Sequence, residues 1–367
     1  MPNTIRVLIV DDSAFVRRSL ARIVTTDPRL EVAGFAADGN EAVAKVRELR
    51  PDVVTMDVMM PRMDGIEAVR RLMNTDPVPI LMVSSYTEKG AAYTVEALSL
   101  GAIDCVLKPE RSVSLDLHLI TEELIAKLLL ASRIRPVRNA RIGEEDRRRN
   151  SASAVKSTIQ RRPRRWSETL PESAEPILRF IALGSSTGGP AVLRRLLALL
   201  APDFPLPLAI VQHITPSFFN ELVAIFDRVC PLTVKRAEEG ESALPGRVYL
   251  AAPRSHLVVD ERRRFRLRTG EPVSGHLPSA SVLIESAARV YGTHAAGIIL
   301  SGMGDDGAAG MKHLAERGGR VYVQDEASSV VYGMPKAVLD AGVNAVSVPA
   351  AGLPHLFQRL CELAGNL

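Results

Sequence analysis

Five short apolar runs, at 7–10, 32–36, 53–56, 80–83 and 105–107, alternate with stretches whose apolar residues recur at helical spacing, as Phe15, Val16, Leu20, Ile23 and Val24 do. No other feature constrains the fold as strongly. Strand–helix–strand repeats close into a parallel sheet with right-handed crossovers and helices on both faces. Strands buried on both faces read as continuous apolar runs, as these do. The first half is therefore expected to be a doubly wound, flavodoxin-like α/β domain. A second alternation starts at Ile177, with strand patterns at 180–183, 208–211, 232–235, 247–251, 296–300 and 320–324. Helical patterns lie between them at 191–200, 218–229, 279–291 and 308–316. Segments 256–259 and 264–267 pair as a hairpin pattern, so the second domain is expected to be a mostly parallel α/β sheet with a small antiparallel insertion. At 367 residues the chain can bury two such cores.

The expected division is 1–130, a linker at 131–174, and 175–367. Periodicity vanishes in the middle segment, where Arg, Ser, Glu and Pro dominate, and a flexible tether follows from the lack of apolar surface to bury. Residues 133–165 hold eleven arginines and Lys156 against Glu144, Glu145 and Asp146, a net +9. The chain as a whole is +4, so the remainder carries −5. Basicity is local, and with Trp166 as its single neighbouring aromatic it does not indicate nucleic-acid binding. Three well-separated cysteines, Cys105, Cys230 and Cys361, argue against disulfides and a zinc site. No apolar run reaches membrane-span length, and the start runs directly into a strand pattern without a secretory signal. A cytoplasmic, non-inserted monomer is expected.

Asp11 and Asp12 end the first apolar run, Asp57 the third, Ser84 the fourth and Lys108 the fifth. The carboxyl ends of parallel strands share one crevice, where ligands bind. Three converging carboxylates repel one another unless a hard divalent cation, Mg2+, sits among them. Lys108 and Ser84 can each meet a phosphoryl oxygen, and a carboxylate there can act as nucleophile toward a phosphodonor. Taken singly, Asp12 or Ser13 could equally cap the following helix.

In the second half, Gly184-Ser185-Ser186-Thr187-Gly188-Gly189-Pro190 joins a strand to a helix. Such a turn can cradle an anion at a helix N-terminus or present a nucleophilic serine. It lacks the GxGxxG spacing and the lysine of nucleotide-binding loops. His213 and Asp306 follow two other strand runs, so Ser186, His213 and Asp306 reach one sheet edge in the order nucleophile, base, orienter. Backbone N–H groups near Thr187 or Met303 can hold an oxyanion. The bland readings are a strand-end histidine at 213 and turn aspartates at 305 and 306.

Residues 5–125 resemble a response-regulator receiver domain. The resemblance implies phosphorylation of Asp57, an Mg2+ site of Asp11, Asp12, Asp57 and the Met59 carbonyl, and a switch pair of Ser84 and Lys108. Cys105 stands about where receivers often carry an aromatic residue. The stretches Gly184–Pro190, Val211-Gln212-His213, Gly302-Met303-Gly304-Asp305-Asp306-Gly307 and Val331-Tyr332-Gly333-Met334-Pro335 resemble the bacterial chemotaxis methylesterase (CheB) family, whose order of receiver, linker and esterase is also met here. Implied are a Ser186–His213–Asp306 triad, oxyanion contacts from Thr187 and Met303, and no cofactor for the ester chemistry. Also implied are methylated chemoreceptors as membrane-bound substrates, glutamine deamidation, and a histidine kinase as phosphodonor. Leu277 and Ser281 occupy places where that family usually has a basic residue and an aspartate. A non-enzymatic binding module and an Arg-rich DNA-binding regulator are the rival classes; the first predicts function without Ser186, the second steep salt dependence.

Overall fold

The computed structural model describes residues 4–84, 88–108, 120–134 and 177–364. Most of the expected linker at 131–174 lies outside the described residues. The N-terminal half runs β1 (Ile5–Val10), α1 (Ala14–Val24), β2 (Leu30–Ala36), α2 (Gly39–Leu49), β3 (Val53–Asp57), α3 (Gly65–Thr75), β4 (Ile80–Ser84), α4 (Glu88–Leu100), β5 (Asp104–Leu107) and α5 (Thr121–Ala131). All its strand pairs are parallel, in the order β2-β1-β3-β4-β5. Helix starts follow local chemistry: the side chains of Ser13, Asp38 and Asp64 each accept the N–H three residues on. Ser13, not Asp12, caps α1, which leaves the Asp12 carboxylate free of capping.

The C-terminal half runs β6 (Phe180–Ser185), α6 (Gly189–Leu197), β7 (Leu208–Gln212), α7 (Phe219–Val229), β8 (Thr233–Arg236), β9 (Arg247–Leu250), β10 (His256–Val259), β11 (Phe265–Arg268), α8 (Ala280–Tyr291), β12 (Ala295–Ile299), α9 (Ala308–Glu316), β13 (Arg320–Gln324), α10 (Met334–Asp340), β14 (Val346–Val348) and α11 (Leu353–Glu362). Seven strands form a parallel sheet ordered β14-β13-β12-β6-β7-β9-β8, and β10 pairs with β11 antiparallel. The period-2 rule is visible in β6: Phe180 and Ala182 enter one apolar core, Ile181 and Leu183 the other. The hairpin's second strand begins one residue later than the sequence pattern implies. The Asp260 side chain accepts the N–H groups of Arg262 and Arg264 at 2.9 Å each, which draws Arg264 into the turn.

Strand order places the functional edges. In the first sheet the order reverses beside β1 and β3, and in the second beside β6 and β12. Crevices open at such switch points, outside the strands' carboxyl ends. The two halves also touch. Helix α4 packs on α6, α7 and the 3-10 turn Pro216–Phe218, and Val95 and Leu98 share one apolar cluster with Leu193, Phe218 and Phe219.

Candidate active site

The first crevice gathers Asp11, Asp12 and Asp57, with one carboxylate oxygen of each within 4.8 Å of the others. Lys108 Nζ bridges Asp11 Oδ2 at 2.7 Å and Asp57 Oδ1 at 2.9 Å. Burial, and then the Asp11 charge, raise the Asp57 carboxyl above its usual range despite Lys108. Burial works against the charge of Lys108, but Asp57 and Asp11 outweigh it and raise its pKa. Asp11 Oδ2 meets Lys108 as an ion pair yet accepts no well-aligned hydrogen bond. Three carboxylates gathered around a single lysine, with one oxygen of each within 4.8 Å of the others, fit a hard cation. Ser84 is buried at the end of β4, and its hydroxyl reaches Gly90 O at 3.4 Å. Met59 is exposed beyond β3.

In the second crevice Ser186 follows β6, His213 follows β7 and Asp306 lies beyond β12, so neighbouring strands bring the three together. Asp306 is fully buried. Its Oδ2 accepts from His213 Nε2 at 2.8 Å and Ala280 N at 2.7 Å; its Oδ1 accepts from Ser279 Oγ at 2.6 Å and Ser281 N at 3.0 Å. Burial pushes this carboxyl up, but His213, Ser279 and the Ser281 N–H outweigh it and hold it well below the usual carboxylate range. The anion sits at the N-terminus of α8, where the dipole also favours it.

An acceptor-only carboxylate requires the proton of His213 on Nε2, which leaves Nδ1 as the basic nitrogen. Nδ1 is buried and has no partner among the described residues. His213 and Ser186 line one cleft of about 260 Å3, with the Ser186–His213 hydrogen bond not closed. Gln212 clamps the pair: its Nε2 donates to Ser186 O at 3.0 Å and His213 O at 2.9 Å, while Ser185 Oγ donates to its Oε1 at 2.6 Å. The Thr187 and Met303 N–H groups donate to no acceptor among the described residues, as open oxyanion donors require. Gly188 takes φ +79°, and a Cβ on Gly302 would come 2.8 Å from Ser186 Cβ, so both glycines serve the close packing of this turn.

Sequence reasoning missed several contributors. His276 stacks on His213, centroids 3.7 Å apart and planes 7° from parallel, and burial followed by the neighbouring His213 lowers its own pKa. Ser281 Oγ accepts the Gly307 N–H at 2.7 Å, so this departure from the family pattern falls inside the Asp306 cradle. The cleft's other wall comes from the N-terminal half through Leu98, Ile103, Asp104, Cys105 and Lys127. Thr187 Oγ1 donates to Asp104 Oδ2 at 2.9 Å, one residue from Ser186. Burial, helped by Asp104, pushes the Cys105 thiol far up, so it stays neutral beside the cleft. A serine, two histidines and one buried carboxylate at a sheet edge can carry out acyl transfer.

A family model described as CheB methylesterase matches residues 181–357, and one described as response regulator receiver domain matches residues 7–119. A protein-glutamate methylesterase/protein-glutamine glutaminase of Geobacillus kaustophilus is 40% identical over 368 residues, 99% of each chain. One from Treponema denticola is 40% identical over 92% of this chain and 93% of its own. The crystal structure of the Thermotoga maritima CheB methylesterase catalytic domain covers 51% of this chain and 98% of its own, at 35% identity and a TM-score of 0.48.

Proposed function

This chain belongs to the CheB methylesterase family, with a response regulator receiver domain in front of the esterase, and we propose that it demethylates glutamate methyl esters on chemoreceptors and deamidates receptor glutamines under phosphorylation control. The observation that carries the reading is the buried Asp306 bound to His213 in the cleft that Ser186 lines. Ser186 Oγ attacks the side-chain carbonyl carbon while His213 Nδ1 takes the hydroxyl proton. The Thr187 and Met303 N–H groups hold the oxyanion. His213 returns the proton to the departing methanol, or to ammonia from glutamine. Water, deprotonated by His213, then attacks the acyl-serine; the C–Oγ bond breaks, His213 hands the proton to Ser186 Oγ, and glutamate is left. Asp306 stays ionised throughout and sets the imidazole tautomer.

In the receiver, Asp57 accepts a phosphoryl group from a histidine kinase. Mg2+ held by Asp11, Asp12, Asp57 and the Met59 carbonyl would neutralise charge on the phosphoryl oxygens. Ser84 and Lys108 then re-orient toward the new phosphoryl group. Receiver residues lining the Ser186 cleft support control by access: the docked receiver covers the site, and phosphorylation shifts the docking equilibrium. The domain limits are 1–130 and 175–367, joined by an Arg-rich tether. Among the described residues no helix is long and apolar enough to cross a membrane; the proposed site of action is the cytoplasm, on membrane-bound receptors, by a monomer.

The test is methanol release from methylated chemoreceptor, with and without a small phosphodonor, for wild type and Ser186→Ala. Release that rises with donor and vanishes in the variant is expected. Release that survives Ser186→Ala would remove the serine mechanism.

A further inference from the structure

Behind Asp306 runs a line of buried polar groups that the three catalytic side chains do not explain. Ser279 is fully buried at the head of α8. Its hydroxyl donates to Asp306 Oδ1 at 2.6 Å, the shortest of the four hydrogen bonds to that carboxylate. Its backbone N–H donates to Nδ1 of His256 at 3.1 Å. His256 opens β10 and is itself buried. The other nitrogen, Nε2, lies 3.1 Å from Glu271 O. A nitrogen that accepts carries no proton, so His256 is neutral with its hydrogen on Nε2, donated to that carbonyl. One imidazole thus ties down both ends of the segment from Glu271 to Ser279.

That segment touches the catalytic base. Midway along it, Val273 and His276 exchange two backbone hydrogen bonds, closing a tight turn that sets the His276 ring flat against His213. The same strap therefore contacts His213 through His276 and Asp306 through Ser279. We propose that Ser279 and His256 are positioning residues of the hydrolase. In this arrangement the antiparallel β10–β11 hairpin exists to seat the strap, and through it the plane and charge of Asp306.

The physical case rests on satisfaction. An ionised carboxylate offers about four acceptor sites, and here four donors fill them. Loss of the Ser279 hydroxyl leaves Oδ1 short of one donor, so the plane of the carboxylate loosens while more of its charge bears on the His213 N–H. Loss of the His256 acceptor leaves a buried N–H at the cap unpaired, and the strap gives way at that end. The titratable and charged groups around Asp306 are His213, His276 and Asp305. None of these can replace the missing donor to Oδ1, because His213 already binds Oδ2.

The inference rests on the serine-hydrolase reading, and its test keeps the two apart. Ser279→Ala, His256→Phe and His256→Asn are compared in the full chain with phosphodonor, by methanol release across pH and by NMR titration of the His213 imidazole without substrate. Ser279→Ala is expected to lower kcat about tenfold to a hundredfold, the worth of one hydrogen bond to a charged group, with KM unchanged. The acid limb of its pH profile moves to higher pH, since an Asp306 charge less shared with other donors holds the His213 proton more tightly. His256→Phe moves in the same direction, and His256→Asn, which restores an acceptor near Nδ1, recovers most of the loss. Wild-type kcat and acid limb in Ser279→Ala would overturn the proposal. Equal losses in His256→Phe and His256→Asn would reduce His256 to packing and overturn its part. If the wild type released no methanol, the substrate assignment would fail. The NMR titration would still decide, since the proposal needs His213 to titrate at higher pH in Ser279→Ala than in wild type.

Discussion

Asp57 and Asp306 are both buried carboxylates at the carboxyl edge of a parallel sheet, yet their environments drive them in opposite directions. Asp306 receives four hydrogen bonds, two from backbone N–H groups at the start of α8, and its carboxyl is held far down. Asp57 receives the Val58 N–H and shares Lys108 with Asp11, and its carboxyl is raised by burial and by the Asp11 charge. Burial is common to both, so donor supply decides the sign. The chemistry follows. A permanently ionised, saturated anion suits the orienting of an imidazole. A crowded anion short of donors gains from a divalent cation and from its own phosphorylation.

The largest effects should come from the saturated site. Ser186→Ala is expected to cut methanol release on the order of 10^6-fold and Asp306→Asn about 10^4-fold, as when a serine nucleophile or its orienting carboxylate is lost elsewhere. Single-turnover assays on activated protein would measure both. Loss in Asp306→Asn of less than tenfold would mean that the donor cradle, not the charge, is what matters.

At the crowded site, Asp57→Asn or chelation of divalent cations should abolish the rise with phosphodonor and leave the unstimulated rate in place. A chelated wild type that still responds would show that the cluster of three aspartates needs no cation. Between the two sites lies Asp104. Asp104→Ala removes the hydrogen bond to Thr187, and unstimulated methanol release is expected to rise about tenfold. An unchanged rate would place the restraint in the α4 packing instead.

The smallest effect concerns acid stability, and there the two carboxylates should differ in sign. The lowered Asp306 carboxyl brings stability that is complete above its ordinary value, about pH 4, and drains as pH falls below it. Wild type should therefore lose Tm more steeply in acid than Asp306→Asn does. The raised Asp57 carboxyl does the reverse, since keeping it ionised costs stability above that range. In cation-free buffer, the Tm of Asp57→Asn relative to wild type should then climb as pH rises from acid to neutral. Parallel Tm–pH curves for all three proteins would erase the contrast.

Both sites are legible in the sequence for the same reason. Asp11, Asp57, Ser84 and Lys108 end the first, third, fourth and fifth apolar runs, and a parallel sheet brings all such ends to one edge, so periodicity alone places them together. Ser186, His213 and Asp306 follow the same logic. Short elements escape it, as β14 with three residues and α10 with seven do, whereas α11 carries Leu353, Leu356, Phe357 and Leu360 at helical spacing and is legible in principle. In the sequence Leu277 and Ser281 read only as departures from the family pattern, whereas Ser281 turns out to tether Gly307 beneath Asp306.

By itself, the sequence determined one doubly wound sheet, a second, mostly parallel sheet with a small antiparallel pair, and the strand ends at which Asp57, Ser186, His213 and Asp306 stand. Those follow from hydrophobic period and strand direction, which are properties of the local chain. Only the tertiary structure decided that Asp104 meets Thr187, that His276 lies flat on His213, that Gln212 clamps the serine turn, and that Ser279 and His256 back Asp306. Each is a side-chain contact between segments far apart in the chain, and its direction depends on how elements pack, which no periodicity encodes.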